Sequence, residues 1–274
     1  MAHIISIVNQ KGGVGKTTTA INVASFLASF GKRVLLVDLD PQANATSGLG
    51  INHKELDVNI YHSLIGEKPL HEIILGEADD FLHLAPSAGS LAGANVELVS
   101  HPEREFLLHK SLVPIAPAYN FIIIDCPPSL GLLTINGLIA AEKILIPVQA
   151  EYYALEGLGQ LLETIELIKT HLKPELQILG ALITMYDKRT MLSQGVMEDL
   201  YRHFPNKILK SVIPRTVRLA EAPSYGQPIL NHDPDSYGAK AYERLAREIL
   251  HLYESHESSH ENVLQKDPLA PPSW

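Results

Sequence analysis

The chain has 274 residues, of which 46% are hydrophobic and 19% are charged, and its formal net charge is −9. This balance is typical of a globular protein and excludes a disordered chain, and the negative charge by itself argues against a nucleic-acid binder. A single cysteine, Cys126, excludes a disulfide framework and a zinc or iron–sulfur site built from one chain's own cysteines. Because the sequence shows no signal peptide and no uncharged apolar run of about 18 residues, we expect a soluble, cytoplasmic protein without a membrane span.

Short apolar runs alternate with longer helical patterns through most of the chain. The runs predicted to be strands are Ile4–Val8, Val34–Asp38, Phe81–Ala85, Phe121–Asp125, Ile144–Val148, Ile178–Thr184 and Ile208–Ile213. The patterns predicted to be helices are Thr17–Phe30, Thr134–Ala141, Leu155–Leu172, Met191–Phe204 and Tyr237–Tyr253. Several runs are continuously apolar, as in strands buried on both faces of a parallel sheet. The alternation therefore predicts an α/β fold with a doubly wound, mostly parallel sheet flanked by helices on both faces.

Two stretches depart from this alternation. Leucine and lysine favour a helix in Arg104–Tyr119, but two prolines limit it, and both interpretations stay open. After Tyr253 the sequence becomes acidic and rich in serine and proline. We therefore expect residues 1–253 to form one domain and residues 254–274 to form a disordered tail, which lacks the basic face and apolar stripe of a membrane-binding helix.

The strongest chemical motif is the glycine-rich stretch KGGVGKTT at residues 11–18, between the first predicted strand and the first predicted helix. Glycines let successive backbone N–H groups face one anion, and the helix amino terminus adds a favourable dipole. Lys16 offers a cation to β- and γ-phosphates, and the Thr17 hydroxyl is placed to ligate Mg²⁺. Gln10 stands where the usual P-loop has its first glycine, without changing this chemistry. The motif predicts a phosphate site formed by Gly12, Gly13, Val14, Gly15, Lys16, Thr17 and Thr18.

Carboxylates end two of the predicted strands, where a doubly wound sheet presents its ligands. The second strand ends in Asp38 and continues to Asp40, and this spacing puts both side chains on one face while the strand persists. The fourth strand ends in Asp125 after an apolar run, as in a Walker B motif. A nucleotide hydrolase needs one group to orient the attacking water and others to support Mg²⁺. We expect the three aspartates to share the phosphate site, although any one of them alone could simply cap a helix.

Lys11 is a second lysine in the P-loop, and one chain does not need it to hold phosphates. With Lys11, the motif resembles that of the deviant Walker A ATPases. Residues 40–50, 123–136, 147–158 and 213–229 further resemble the Soj/ParA chromosome-partition ATPases. The resemblance implies a homodimer that forms with ATP and Mg²⁺, in which Lys11 touches the nucleotide of the other subunit.

The resemblance also implies roles for individual residues. The implied catalytic residues are Lys11, Lys16 and Asp40, of which Asp40 orients the attacking water. The implied magnesium residues are Thr17, Asp38 and Asp125. Further implied nucleotide contacts are Pro214, Arg215 and Thr216 beside the adenine, and Glu151, which reaches the ribose across the dimer.

A basic segment lies within this acidic chain. Tyr186–Arg218 contains seven basic and three acidic residues, so a local basic face is compatible with the net charge. The resemblance implies that the ATP-bound dimer binds double-stranded DNA without sequence preference and associates with the nucleoid. The DNA-binding residues that it implies are Arg189, Arg218, Lys188, Lys207 and Lys210, for which a solvated face is the plainer interpretation. It also implies a ParB/Spo0J-type partner that stimulates slow ATP hydrolysis.

Three other classes share parts of this pattern. A MinD-like, membrane-recruited ATPase that positions the division site is the main alternative, and the acidic tail argues against it. A reductase similar to the nitrogenase iron protein shares the second lysine but needs more than one cysteine per chain. A metabolic P-loop kinase or synthetase does not require Lys11. ATP-dependent dimerisation distinguishes a partition ATPase from the metabolic class.

Overall fold

A parallel β-sheet organises the chain in the computed structural model, which describes residues 2–151, 154–204 and 207–264. Within those ranges the strands are β1 His3–Ile7, β2 Val34–Asp38, β3 Leu82–Ala85, β4 Phe121–Asp125, β5 Lys143–Gln149, β6 Gln177–Tyr186 and β7 Ile208–Pro214. Their order across the sheet is β3-β2-β4-β1-β5-β6-β7, and each neighbouring pair is parallel. The predicted doubly wound α/β fold is confirmed.

Helices connect the strands and cover both faces of the sheet. They are α1 Lys16–Ser29, α2 Asn44–Gly48, α3 Ile60–Leu64, α4 Leu91–Glu97, α5 Leu107–Leu112, α6 Leu132–Ala140, α7 Ala154–His171, α8 Met191–His203, α9 Val217–Glu221, α10 Ile229–His232 and α11 Tyr237–Leu264. The five predicted helices correspond to α1, α6, α7, α8 and α11. Helix α5 occupies the middle of the ambiguous segment Arg104–Tyr119, and it ends before the first of the two prolines.

The last helix differs from the sequence prediction at its end. Helix α11 continues past Tyr253 to Leu264, whereas we expected a disordered tail from residue 254 onwards. The remaining part of that expected tail, residues 265–274, lies outside the described residues. Among the described residues, we find no helix with the length and apolar character that crossing a membrane requires.

Alternate residues of the strands face two separate hydrophobic cores. Leu35 and Ile122 belong to the core that packs under helices α3 to α8, whereas Leu36 and Ile123 belong to the core under α1 and α11. This two-residue period follows from strand geometry, and burial of both faces explains why the strands are continuously apolar in sequence.

The sheet topology fixes where a ligand can bind. The chain moves from β1 outwards to β2 and β3, returns to β4 beside β1, and then crosses to β5 on the other side of β1. A crevice therefore opens at the carboxyl end of β1, where the strand order reverses, and such crevices bind ligands in doubly wound folds. The P-loop begins at this point.

Candidate functional site

The P-loop runs from the end of β1 to the start of α1 and is anchored on two neighbouring strands. Gly13 and Gly15 have φ angles of 74° and 88°, a left-handed conformation that strains other residues. The Thr184 hydroxyl of β6 donates a 2.8 Å hydrogen bond to the carbonyl of Val14. The Asn9 amide donates a 2.7 Å hydrogen bond to a β5 carbonyl, so both ends of the loop are held against the sheet.

Lys16 lies inside the curve of this loop. Its ammonium group donates a 3.1 Å hydrogen bond to the carbonyl of Lys11, and only 7% of the residue is exposed. Burial lowers the pKa of Lys16, and the nearby carboxylates of Asp125 and Asp40 oppose that shift. The cation is therefore held in position before any phosphate binds.

Asp38 is fully buried at the end of β2 and is held by three hydrogen bonds. The backbone N–H of Thr46 and its hydroxyl donate to Oδ2 at 2.8 and 2.7 Å, and the backbone N–H of Asp40 donates to Oδ1 at 3.2 Å. Burial raises the pKa of Asp38 to about 6, although the Thr46 hydrogen bonds favour the ionised form. Thr46 was not predicted to be a site residue.

Asp125 lies beside Asp38 because the two residues are register partners on adjacent strands. Its carboxylate is fully buried, and neither oxygen has a hydrogen-bond partner within the described part of the chain. Burial and the neighbouring Asp38 raise its pKa well above the usual range, and the nearby Thr17 hydroxyl and Lys16 ammonium only partly offset this. A buried carboxylate of this kind requires a partner that the protein alone does not supply.

These donors fit a magnesium ion that arrives with a nucleotide. No group of three or more His, Cys, Asp or Glu side chains in the described ranges could hold a metal ion by itself. Magnesium needs no such cage, because it commonly combines one or two carboxylates with phosphate oxygens and water. The unpartnered Asp125 carboxylate and the adjacent Thr17 hydroxyl provide this limited set.

Asp40 lines the cleft beside the P-loop and is only 6% exposed. Its Oδ1 accepts a 2.9 Å hydrogen bond from the backbone N–H of Gln42, and its carbonyl accepts a 2.7 Å hydrogen bond from the Ser87 hydroxyl. The carboxylate is thus fixed at the edge of the cleft next to the P-loop.

Two adjoining clefts meet at the P-loop. The first has a volume of about 410 Å³ and is lined by the loop, Asp40 and Pro128, and the second, of about 250 Å³, is lined by Pro214, Arg215 and Thr216. Both clefts are lined by Gly15, Thr18 and Met185. Two larger clefts of about 580 Å³ each lie elsewhere and contain no residue of the nucleotide motifs. We therefore assign the binding site for a phosphorylated ligand with a planar base to the paired clefts.

Met185 was missed by the sequence analysis although it contacts both clefts. Its φ of 52° lies in the left-handed region, which is uncommon for a residue other than glycine. No sequence pattern marks such a residue, which directly follows the predicted strand Ile178–Thr184. Backbone strain of this kind is often found at functional sites.

Lys11 is not among the described residues that line the phosphate cleft. Its ammonium group lies 3.0 Å from Oε2 of Glu151, whose Oε1 accepts a hydrogen bond from the Gln149 amide and lies 3.7 Å from Arg215. The structure thus brings together three residues that the sequence assigned to the nucleotide, but as an exposed ion-pair network beside the cleft.

The five predicted DNA-binding residues divide into separate groups. Lys188 and Arg189 follow the carboxyl end of β6, and Arg218 follows the carboxyl end of β7. Lys207 precedes β7 and therefore lies at its amino-terminal end, about 23 Å from the carboxyl end of the same strand. Lys210 is exposed on β7, which lies at the edge of the sheet beside β6 among the described residues. One stretch of sequence therefore does not form one basic surface.

Both predicted DNA-binding arginines carry carboxylate partners. Arg189 pairs with Asp187 at 2.7 Å, whereas Arg218 pairs with Glu221 at 3.2 Å and Asp233 at 3.3 Å. These acidic neighbours were not singled out from the sequence.

Comparison with known proteins shows which family this chain belongs to. A family model described as an AAA domain matches residues 2–178. The Bacillus subtilis sporulation initiation inhibitor protein Soj is 52% identical over 91% of this chain and 98% of its own length. The Myxococcus xanthus chromosome partitioning protein ParA is 49% identical over 91% of this chain and 88% of its own length. The crystal structure of cobyrinic acid a,c-diamide synthase from Mycobacterium smegmatis with bound ADP and magnesium is 37% identical, with a TM-score of 0.83 over 93% of this chain and 97% of that chain. On the identity and coverage of the first two relatives, this chain belongs to the Soj/ParA family of chromosome-partitioning ATPases.

Proposed function

We propose that this chain is an ATPase that dimerises when it binds ATP and Mg²⁺, and that the dimer binds DNA and acts in chromosome or plasmid partition. The observation that carries the proposal is the pair of P-loop lysines. Lys16 lies inside the loop as the phosphate cation, whereas the Lys11 ammonium pairs with Glu151 beside the cleft. A cation placed beside its own site, in an exposed ion pair that can exchange partners, can reach the nucleotide of a second subunit.

Within one subunit the P-loop residues would bind the triphosphate. The backbone N–H groups of residues 12–18 and the Lys16 ammonium contact phosphate oxygens, and the second cleft receives the base beside Pro214 and Thr216. The Thr17 hydroxyl and Asp125 would hold Mg²⁺, with Asp38 supporting its water ligands, and the ion when bound would neutralise charge on the β- and γ-phosphates. The crystal structure of the synthase relative contains ADP and magnesium, which supports binding of a nucleotide and this ion by the present fold.

We assign the attacking water to Asp40. Its Oδ1 is engaged by the N–H of Gln42, which fixes the carboxylate, and Oδ2 is the atom that would accept a hydrogen bond from water. The carboxylate then orients the water towards the γ-phosphate, which is the principal task of a protein group in phosphoryl transfer. Hydrolysis would be slow until the dimer and a ParB/Spo0J-type partner complete the charge around the γ-phosphate.

Dimerisation is the step that tests the proposal. Lys11→Ala should abolish dimers in the presence of a non-hydrolysable ATP analogue and Mg²⁺ while leaving some nucleotide binding, as measured by sedimentation and by titration of a fluorescent nucleotide. Lys54→Ala, which removes an exposed lysine away from the cleft, is the matched control. A wild-type protein that stays monomeric with the analogue, or a Lys11→Ala variant that dimerises normally, would refute the proposed role.

DNA binding is proposed for the dimer because the basic residues after β6 and β7 lie next to the nucleotide cleft. Non-specific binding needs only neutralisation of phosphates, and a dimer doubles the contacts that each chain provides. If each subunit makes two contacts, the log–log dependence of affinity on salt should have a slope of about −3.6. A titration of duplex DNA with ATP, ADP and no nucleotide tests this, since only ATP should give tight binding. Such a protein would be cytoplasmic and associated with the nucleoid.

The main alternative is a MinD-like ATPase that is recruited to membranes. Co-sedimentation with liposomes in the presence of ATP distinguishes the two functions, because the proposed partition ATPase should remain in the supernatant. Binding to liposomes without binding to DNA would favour the alternative.

A further inference from the structure

The turn between β6 and α8 is built to hold one arginine. The backbone N–H and the hydroxyl of Thr190 both donate to the carbonyl of Asp187 at 3.1 Å. The Thr190 hydroxyl also caps α8 by accepting a hydrogen bond from the backbone N–H of Ser193. The turn is therefore fixed to the strand that precedes it and to the helix that follows it, and Arg189 projects from its centre.

Asp187 holds the side chain of Arg189 at two points. Oδ1 accepts from the backbone N–H of Arg189 at 3.0 Å and from its Nε at 2.9 Å, and Oδ2 accepts from Nη2 at 2.7 Å. The arginine keeps the pKa of Asp187 low, at about 2, so the carboxylate is ionised at any ordinary pH. The Arg189 side chain is 83% exposed and that of Asp187 only 21%. The carboxylate thus lies beneath the guanidinium group.

This arrangement leaves one whole edge of the guanidinium group free of Asp187. An arginine has five N–H donors in a planar fork, and two adjacent nitrogens can bind one phosphate through two hydrogen bonds. Asp187 uses the edge formed by Nε and Nη2, so the edge formed by Nη1 and the second hydrogen of Nη2 remains. Arg218 differs, because Glu221 takes its Nη1 and Asp233 its Nε.

We propose that Asp187 is a positioning residue for DNA binding: it holds Arg189 so that the free edge of its guanidinium group meets a DNA phosphate. The inference rests on the proposed function, in which the ATP-bound dimer binds duplex DNA. A free arginine side chain loses rotamer freedom when it binds, and a side chain already held in place loses less. Asp187 thereby raises affinity although it is an anion beside a polyanion.

The direction in which one substitution changes DNA affinity distinguishes positioning from a simple charge effect. Asp187→Asn keeps an oxygen for the turn but removes the ionised two-point contact. Coulombic repulsion alone predicts that losing this negative charge tightens DNA binding. Positioning predicts the opposite, because Arg189 is released into many rotamers.

The experiment measures the affinity of the full chain, with Mg²⁺ and a non-hydrolysable ATP analogue, for a fluorescent 60-base-pair duplex at several salt concentrations. Asp187→Asn should bind about fivefold more weakly than wild type. Its salt slope should become less steep by up to about 1.8 for a dimer that loses one phosphate contact per subunit. Glu198→Gln, which removes a charge from the exposed face of α8, is the control and should bind as wild type or more tightly.

A double-mutant cycle tests whether the effect passes through Arg189. In an Arg189→Ala background, Asp187→Asn should cause no further loss of affinity. Arg189→Lys retains the charge and leaves the turn intact but cannot be held at two points, and it should bind at least threefold more weakly than wild type. Nucleotide affinity, measured in parallel, reports whether each variant is folded.

Each failure has a separate meaning. If the wild-type dimer does not bind duplex DNA, the proposed function is wrong and this inference falls with it. If wild type binds and Asp187→Asn binds equally or more tightly, the positioning role is wrong while the proposed function stands. If Asp187→Asn is misfolded, Arg189→Lys decides, and wild-type affinity in that variant overturns the role.

Discussion

Replacing Asp125 should raise the stability of the nucleotide-free protein but reduce the stabilisation that the protein gains from ATP and Mg²⁺. The carboxylate is fully buried, has no hydrogen-bond partner in the described residues and lies beside a second buried carboxylate, that of Asp38. Burial and Asp38 both raise the pKa of Asp125. Asp125→Asn removes the charge while nearly preserving the shape, so we expect the variant to be more stable than wild type without nucleotide.

The size of the effect follows from the sheet geometry. Neighbouring strands are about 4.8 Å apart, so the two carboxylates are about 5 Å apart. Two ionised groups at that distance repel by about 3 kcal/mol at an effective dielectric constant of 20. A buried amide without a partner retains a cost of about 1 kcal/mol or more. Because the raised pKa of Asp125 lets protonation relieve part of this repulsion, the net gain should be at most about 2 kcal/mol, or about 4–8 °C in Tm for a domain of this size.

The pH dependence gives a second test with a definite sign. A carboxyl group with a raised pKa in the folded state contributes stability below its unfolded pKa, and this contribution is lost as the pH rises through the folded pKa. For Asp38 the window runs from its ordinary value of 3.8 to about 6. The nucleotide-free wild-type protein should thus lose stability between about pH 4 and pH 6, and the raised pKa of Asp125 should extend this loss to higher pH. Asp125→Asn should show a smaller loss, because one of the two coupled carboxylates no longer titrates.

Thermal unfolding in EDTA at pH 5 and pH 7.5 measures both effects. Asp79→Asn, at an exposed aspartate distant from the site in sequence, should leave Tm nearly unchanged and serves as the control. With ATP and Mg²⁺ the order should reverse, because wild type gains stability from the ligand and Asp125→Asn gains much less. A variant that unfolds at or below the wild-type temperature at pH 7.5 would refute the reasoning.

Three further variants, the last of them a double variant, test other parts of the site. Thr184→Val leaves the buried carbonyl of Val14 in the P-loop without its hydrogen-bond donor, so it should lower the free energy of unfolding by about 1–2 kcal/mol and weaken nucleotide binding. Thr170→Val, on the exposed face of α7, is the control and should change neither. Equal nucleotide affinity in the two variants would contradict this reasoning. Asp40→Ala should trap an ATP-bound dimer that stays on DNA, and undiminished ATP turnover would exclude its role. Changing both Arg189 and Arg218 to Glu should abolish DNA binding while ATP hydrolysis persists, and gel shifts retained at low salt would count against it.

The strands and the carboxylates at their ends were predictable because burial on both faces leaves a simple pattern. Val34–Asp38 and Phe121–Asp125 were predicted with the bounds that the structure has, since a continuous apolar run ends abruptly at a charged residue. The short helices between β2 and β4 were not predicted, apart from the helix left open in Arg104–Tyr119. Each has fewer than eight residues, and short helices form through tertiary packing rather than through their own periodicity.

The site was predictable where a motif carries its chemistry and not where distant residues meet. The P-loop and its aspartates are recognisable within a few residues of sequence. The Thr184 hydroxyl, in contrast, meets the loop from 170 positions away, and a threonine in an apolar strand has many other uses. The basic residues show the same limit: Lys207 and Arg218 are near in sequence, but the length of β7 separates them.

The end of β6 joins the nucleotide site to the turn between β6 and α8, which contains Arg189, over very few residues. Thr184 holds the P-loop, and Met185 lines both clefts with a strained backbone. The carbonyl of Tyr186 accepts a 3.1 Å hydrogen bond from the N–H of Arg215, and the next residue is Asp187, which holds Arg189. If nucleotide binding moves the P-loop, β6 receives that movement directly, and no long chain of intermediates is needed to carry it to the arginine. Thr184→Val should therefore weaken nucleotide binding and also reduce the ratio of DNA affinity in the ATP state to that in the ADP state. A substitution that only weakens nucleotide binding should leave this ratio unchanged when nucleotide is saturating.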